Sequence, residues 1–173
     1  MVRRIVFGIA LLMSAGFASA QRPAPLQDEL ADKLVGAWNL DGSVMGRQAH
    51  HRLRAQWVLG HEFLRLEEET SADAPASESR YEAIWFLGYD DVDRHYVLHL
   101  MDLFGGRFSE TLGNGVRDGN VLRFNFEYPD GPFRTTWAWD DASKSWKWHM
   151  EQKNKAGEWT TFADFWMTPG KGF

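Results

Sequence analysis

Large apolar and polar residues alternate in short runs from Trp38 to Trp166, with turn-forming residues between the runs. Phe124, Phe126 and Tyr128 interleave with Arg123, Asn125 and Glu127, and Trp146 and Trp148 flank Lys147. A period of two sends successive side chains to opposite faces of a strand. About ten such runs follow one another. They are Ala37–Val44, His51–Leu59, Glu62–Glu68, Tyr81–Leu87, His95–Met101, Arg107–Leu112, Val121–Tyr128, Phe133–Asp140, Ser145–Lys153 and Glu158–Met167. Connections of roughly two to six residues are too short for parallel crossovers, so neighbouring strands are antiparallel and sequential. The fold class is therefore all-β, an antiparallel up-and-down barrel of about ten strands. A barrel of that size encloses more room than eight strands do, so side chains alone need not fill it.

The first twenty residues are read as a secretory signal peptide. Met1-Val2-Arg3-Arg4 is a basic start, Ile5 to Phe17 is apolar, and Ala18-Ser19-Ala20 is an A-x-A cleavage site. The apolar stretch is too short to span a bilayer, and no later stretch is longer. The expectation is export, to a periplasm or the exterior, with cleavage near Ala20. Residues 21–33 are a lead-in and one short N-terminal helix, 34–168 are the barrel domain, and 169–173 are a loose tail. Leu26, Leu30 and Leu34 recur every four residues, which predicts a helix over Leu26–Leu34 lying across one end of the barrel as a plug.

The chain contains no cysteine, which excludes disulfides, thiolate metal sites and cysteine nucleophiles. Its core must hold it together, and nine Trp, twelve Phe and four Tyr supply the burial. The net charge is −5, from 19 basic and 24 acidic residues, and loss of Arg3 and Arg4 takes it to −7. That balance argues against a nucleic-acid partner. The sequence does not fix the oligomeric state.

Gly36-Ala37-Trp38, at the head of the first strand after a short helix, resembles the Gly-x-Trp signature of the calycins, the lipocalins and fatty-acid-binding proteins. The strand count is closer to the fatty-acid-binding and nitrobindin side. Leu34 to Trp38, Trp57 to Leu64, Gly88-Tyr89-Asp90 and Asp102 ahead of a glycine turn together are similar to the bacterial family DUF1579, over roughly residues 34 to 167. The resemblance implies a lipocalin-like barrel and no particular activity. Two features depart from it. The last strand lacks the arginine that many calycins stack on the motif tryptophan. No helical lid separates the first two strands, which leaves loops to control access.

If the Trp38 face points inward, the lining comprises Trp38, Leu40, Trp57, Trp85, Leu98, Phe124, Phe126, Trp137, Trp139, Trp148 and Met150. These form a wall for an apolar or aromatic ligand, or they fill the barrel. A carrier keeps an enclosed cavity, whereas in a filled barrel Trp85, Trp137 and Trp148 close it. Haem is implied only through the nitrobindin likeness, with His149 as positional analogue. His149 alternates with Trp148 and Met150 and so falls on the outer face. His95 and His99 share a strand face within reach of one metal ion, but they read as surface imidazoles and no metal is expected. Asp90, Asp91 and Asp93 read as a solvated turn, and Glu67, Glu68 and Glu69 as a solvated strand edge. Thr70 to Ser79 reads as an exposed loop. No catalytic motif is present, and an enzyme would require an inward acid–base pair. The expected function is binding of a small apolar molecule, without catalysis or cofactor. The alternative is a filled barrel acting through its surface loops.

Overall fold

The computed structural model describes residues 24–171; the expected signal peptide, 1–20, lies outside them. Ten strands close into an antiparallel barrel in chain order, with the first bonded to the last. They are β1 (Gly36–Val44), β2 (Arg47–Val58), β3 (Phe63–Thr70), β4 (Glu82–Asp90), β5 (His95–Asp102), β6 (Leu112–Asp118), β7 (Val121–Tyr128), β8 (Gly131–Asp140), β9 (Ser145–Lys153) and β10 (Trp159–Pro169). The all-β, ten-stranded antiparallel barrel expected from the alternation is the one observed, and it is consistent with the calycin-like fold that the resemblance implies. Closure leaves no sheet edge unpaired. No helix among the described residues is long and apolar enough to cross a membrane.

Helix α1 (Glu29–Asp32) is shorter than the expected Leu26–Leu34. Its start is set by Asp28, whose carboxylate accepts from the Leu30 and Ala31 amides at 2.8 and 3.1 Å, an N-cap. Upstream, the Leu26 amide donates to the His61 carbonyl, so that residue is tied to the β2–β3 turn and not to the helix. The plug itself is as expected. Leu30, Ala31 and Leu34 are buried in the core. Three indoles fasten it: Trp38 Nε1 donates to the Leu34 carbonyl, Trp146 Nε1 to the Lys33 carbonyl and Trp57 Nε1 to Asp32 Oδ1. The two carbonyls lie just past the helix, where backbone acceptors lack intrahelical partners.

The sixth strand corrects the sequence reading. Arg107–Leu112 was expected to be extended, with Asn114-Gly115 as a turn. Instead the stretch Gly106–Ser109 forms the short helix α2, and β6 runs through both glycines. A Cβ at Gly113 would run into the Phe126 ring, and one at Gly115 into the Phe124 ring. These glycines let two β7 rings lie against the backbone of β6. They do not turn the chain.

The inward face is filled unevenly. Near α1 and at mid-height lie Trp38, Trp137, Trp146, Trp148, Phe124 and many leucines, nearly all without solvent exposure. The opposite end carries the β1–β2, β3–β4, β5–β6, β7–β8 and β9–β10 connections and is here called the mouth.

Candidate functional site

At mid-height the barrel interior is solid. β4 and β9 lie five strands apart in either direction round the ring, on opposite sides. Yet the Trp85 and Trp148 rings meet edge to face, with centroids 5.4 Å apart. Trp148 meets Trp137 at 5.3 Å, and Trp137 meets Phe124 at 5.5 Å. Of the eleven expected lining residues, Trp38, Leu40, Trp85, Leu98, Phe124, Phe126, Trp137, Trp148 and Met150 are buried, while Trp57 and Trp139 are half-buried. All belong to the inward core or pack against it, and over most of the barrel's height they contact one another. Trp137 Nε1 is buried with no hydrogen-bond partner.

Above this floor the mouth is polar. On β2 the inward set Leu53, Ala55 and Trp57 continues through His51, which is 6% exposed. On β3 the set Leu64 and Leu66 continues through Glu68, 3% exposed. Antiparallel pairing brings the two together: His51 Nδ1 lies 2.7 Å from Glu68 Oε1. A carboxylate accepts, which places a proton on Nδ1. Trp85 Nε1 donates to the other oxygen of Glu68 at 3.1 Å. Expecting Glu67 to Glu69 to be a solvated edge was therefore wrong for the middle residue. Strand parity turns Glu68 inward while its neighbours face out.

The β3–β4 loop adds a second carboxylate. Glu78 accepts from the His50 amide at 2.9 Å and faces His50 Nδ1 at 3.1 Å. It also lies 3.6 Å from His51 Nε2, with its side chain only 8% exposed. So the loop read as simply exposed is tied to the start of β2 through a buried side chain.

Two strands from Glu68, with Ala83 paired between them, stands Asp102, at the end of the inward set Leu98 and Leu100 on β5. Tyr81 Oη donates to Asp102 Oδ2 over a long 3.4 Å, and the Phe104 amide donates to Oδ1 at 2.9 Å. Burial, opposed by the hydrogen bonds from Phe104 and Tyr81 and joined by the charge of Glu68, holds the Asp102 carboxyl above its ordinary range. Burial, then the charges of Glu68 and Asp102, raise the Tyr81 hydroxyl far above its usual value. Burial, then Asp102, do the same for Tyr128.

Aromatic rings frame these groups. His51 stacks on Tyr81 at 5.6 Å, Tyr81 leans on Phe104 at 6.3 Å, and Phe108 meets Tyr128 at 5.5 Å. Phe133 joins Tyr128 to Phe162. Tyr81, Tyr128, Phe133 and Phe162 are only partly buried.

The histidines weighed for metal or haem lie elsewhere. His149 faces outward, 3.4 Å from Asp164 and 3.8 Å from Glu151, so it offers no ligand to a haem inside the barrel. His99 Nε2 lies 2.7 Å from the Ser109 carbonyl. His95 gathers with Asp90 and Asp93, their ligand atoms within 4.8 Å of one another. There Asp90 Oδ1 accepts from the Val92 and Asp93 amides, which lower its pKa and make it a turn cap.

At the plugged end an open cleft of about 510 Å³ runs between Leu26, Asp28, Tyr89, Arg94, Tyr96 and Arg117. Its polar centre is already used. Asp28 caps α1, accepts from Tyr96 Oη, and takes Arg117 Nη1 at 2.7 Å. This cleft holds the plug in place.

His51, Glu68, Glu78 and Asp102 were not among the expected lining. Parity was the available signal for three of them, because each continues an apolar inward set by one more position. Glu78 lies in an aperiodic loop and carried no such signal. No protein-family model matches the chain, and no curated protein sequence matches it.

Proposed function

We propose that this protein is an exported, calycin-like binding protein of the DUF1579 type that takes a small, largely apolar molecule at the mouth of its barrel. The observation that carries this reading is the buried His51–Glu68–Trp85 group beneath a rim of half-buried rings. Burying polar groups costs stability unless each finds a hydrogen-bond partner, and packed apolar side chains would avoid that cost. A barrel this rich in indoles has no need of such a pair for stability. Binding sites combine apolar walls with a few fixed polar groups, and the mouth has that composition. The packed indoles below act as a floor, so the ligand sits shallow and is covered by loops.

A second reading is favoured by the same filled interior: a barrel that acts through its surface. Leu103 and Phe104 on the β5–β6 connection are 55% and 72% exposed.

Native mass spectrometry of the protein purified from its exporting host separates the two. Binding at the mouth expects an added mass that organic solvent releases. That mass is lost in Ala49→Phe, which fills the mouth beside His51, and kept in Val116→Trp at the opposite cleft. A bare mass that stays bare after incubation with a host small-molecule extract refutes binding and leaves the surface reading.

A further inference from the structure

We infer that the mouth takes an amine: an ammonium group on an apolar, preferably aromatic, body, with the cation seated between Asp102 and the rings of Tyr81 and Tyr128. This inference rests on the mouth being the binding site, and goes further by naming the ligand's charge.

Three carboxylates converge at the mouth, and two of them face imidazoles. Glu68 spends one oxygen on His51 and the other on Trp85. Glu78 spends both on His50 and approaches His51. Asp102 is different. Its contacts are one backbone amide and one long hydroxyl bond, and no cationic side chain pairs with it among the described residues. Among the described residues the charged neighbour that acts on it is Glu68, of like sign. A half-buried carboxylate without a counter-ion is unfavourable in the empty protein. A ligand cation supplies what the chain does not.

The surroundings suit an ammonium ion and not an anion. Among the described residues the basic groups at ion-pair distance from these three carboxylates are the imidazoles of His50 and His51, while Arg80 and Arg107 on the same rim pair with Glu82 and Asp130. A carboxylate or phosphate ligand would meet like charge. Tyr81 bonds Asp102 and leans on Phe104, and a ring face attracts a cation by about 0.5–2 kcal/mol. Phe104, 72% exposed, offers a surface that the core does not use and that a ligand body would cover.

The experiment compares phenethylamine with phenethyl alcohol, its neutral counterpart, by isothermal titration calorimetry on the full mature protein. The amine is expected to bind about tenfold or more tightly than the alcohol, as a charge-assisted contact gives. Asp102→Asn should erase that preference and leave alcohol binding unchanged. In the wild type, added salt should weaken the amine alone. This salt arm stands even if the variant folds poorly. Equal affinities for amine and alcohol, unmoved by salt, overturn the amine assignment while leaving the mouth as an apolar site. If neither compound binds, the amine assignment and the mouth reading both fall.

Discussion

Replacing Glu68 with leucine removes the acceptor of His51 Nδ1 and of Trp85 Nε1 in one step. Two donors are then left buried, and each buried donor without a partner costs about 1–3 kcal/mol. Adding His51→Leu removes one of those stranded donors. The double variant should therefore unfold at a urea concentration above that of Glu68→Leu alone, although it carries one more substitution. If the two losses simply add, the pair is not coupled as its geometry indicates. The same two residues show what strand parity reveals and what a charge run hides. His51 continues Leu53, Ala55 and Trp57; Glu68 continues Leu64 and Leu66; Asp102 continues Leu98 and Leu100. Read as a block, Glu67 to Glu69 looks like solvated surface. Read two by two, the middle glutamate must enter the barrel.

At the scale of the element, β6 is the strand whose nature the sequence concealed. Glycines beside asparagine and aspartate carry the same letters whether they turn a chain or make way for a ring. Only the position of Phe124 and Phe126 on the next strand decides between them, and that is tertiary information. Gly113→Val should displace the Phe126 ring, which stacks on Tyr128 at 5.0 Å. Overpacking of this kind costs about 1–3 kcal/mol. Because Tyr128 belongs to the mouth, the substitution should also weaken ligand binding there. Chemical denaturation and titration of the variant check both effects. A variant as stable as the parent would mean that Phe126 has room to move. Helix α1 shows the opposite case. Its leucine stripe was legible and its role as a plug followed, but its length was set by a cap at Asp28 and by a backbone bond from Leu26 to His61. Neither follows from periodicity.

The whole molecule divides along its axis into an apolar part that secures the fold and a polar mouth, the proposed site. Closure by β1 and β10 and the inward set of indoles rest on local alternation and on aromatic content, so both were legible from the chain, while the meeting of Trp85, Trp148 and Trp137 across the interior was not. The polar mouth was not, since it depends on which strand ends and which loop meet there. This division has a pH signature. Asp102 has its carboxyl raised by burial, so the folded state holds that proton more tightly than the unfolded chain. Its contribution to stability is present at low pH and is lost as pH rises from the ordinary carboxylate range through the raised value. Asp102→Asn mimics the protonated form. It should therefore melt above the parent at neutral pH, with the gap closing in acid. The gap should be about 1 kcal/mol or less, because water still reaches the side chain. A parent more stable than the variant at neutral pH would show that Asp102 has a stabilising partner. A carboxylate kept at a cost in stability fits a group kept for a ligand.

The most direct test of a shallow mouth site above a solid floor is a nitrogen–proton NMR titration with phenethylamine. The tryptophan indole N–H groups serve as depth markers along the barrel. Shifts are expected in Trp85 Nε1, which bonds Glu68, and in the amides of 71–81, 103–111 and 128–133. The indoles of Trp38, Trp57 and Trp146, fastened to the plug, should stay still. Shifts centred on those three indoles, or on Tyr89 and Arg94 at the cleft, would contradict the account by placing the ligand at the other end of the barrel.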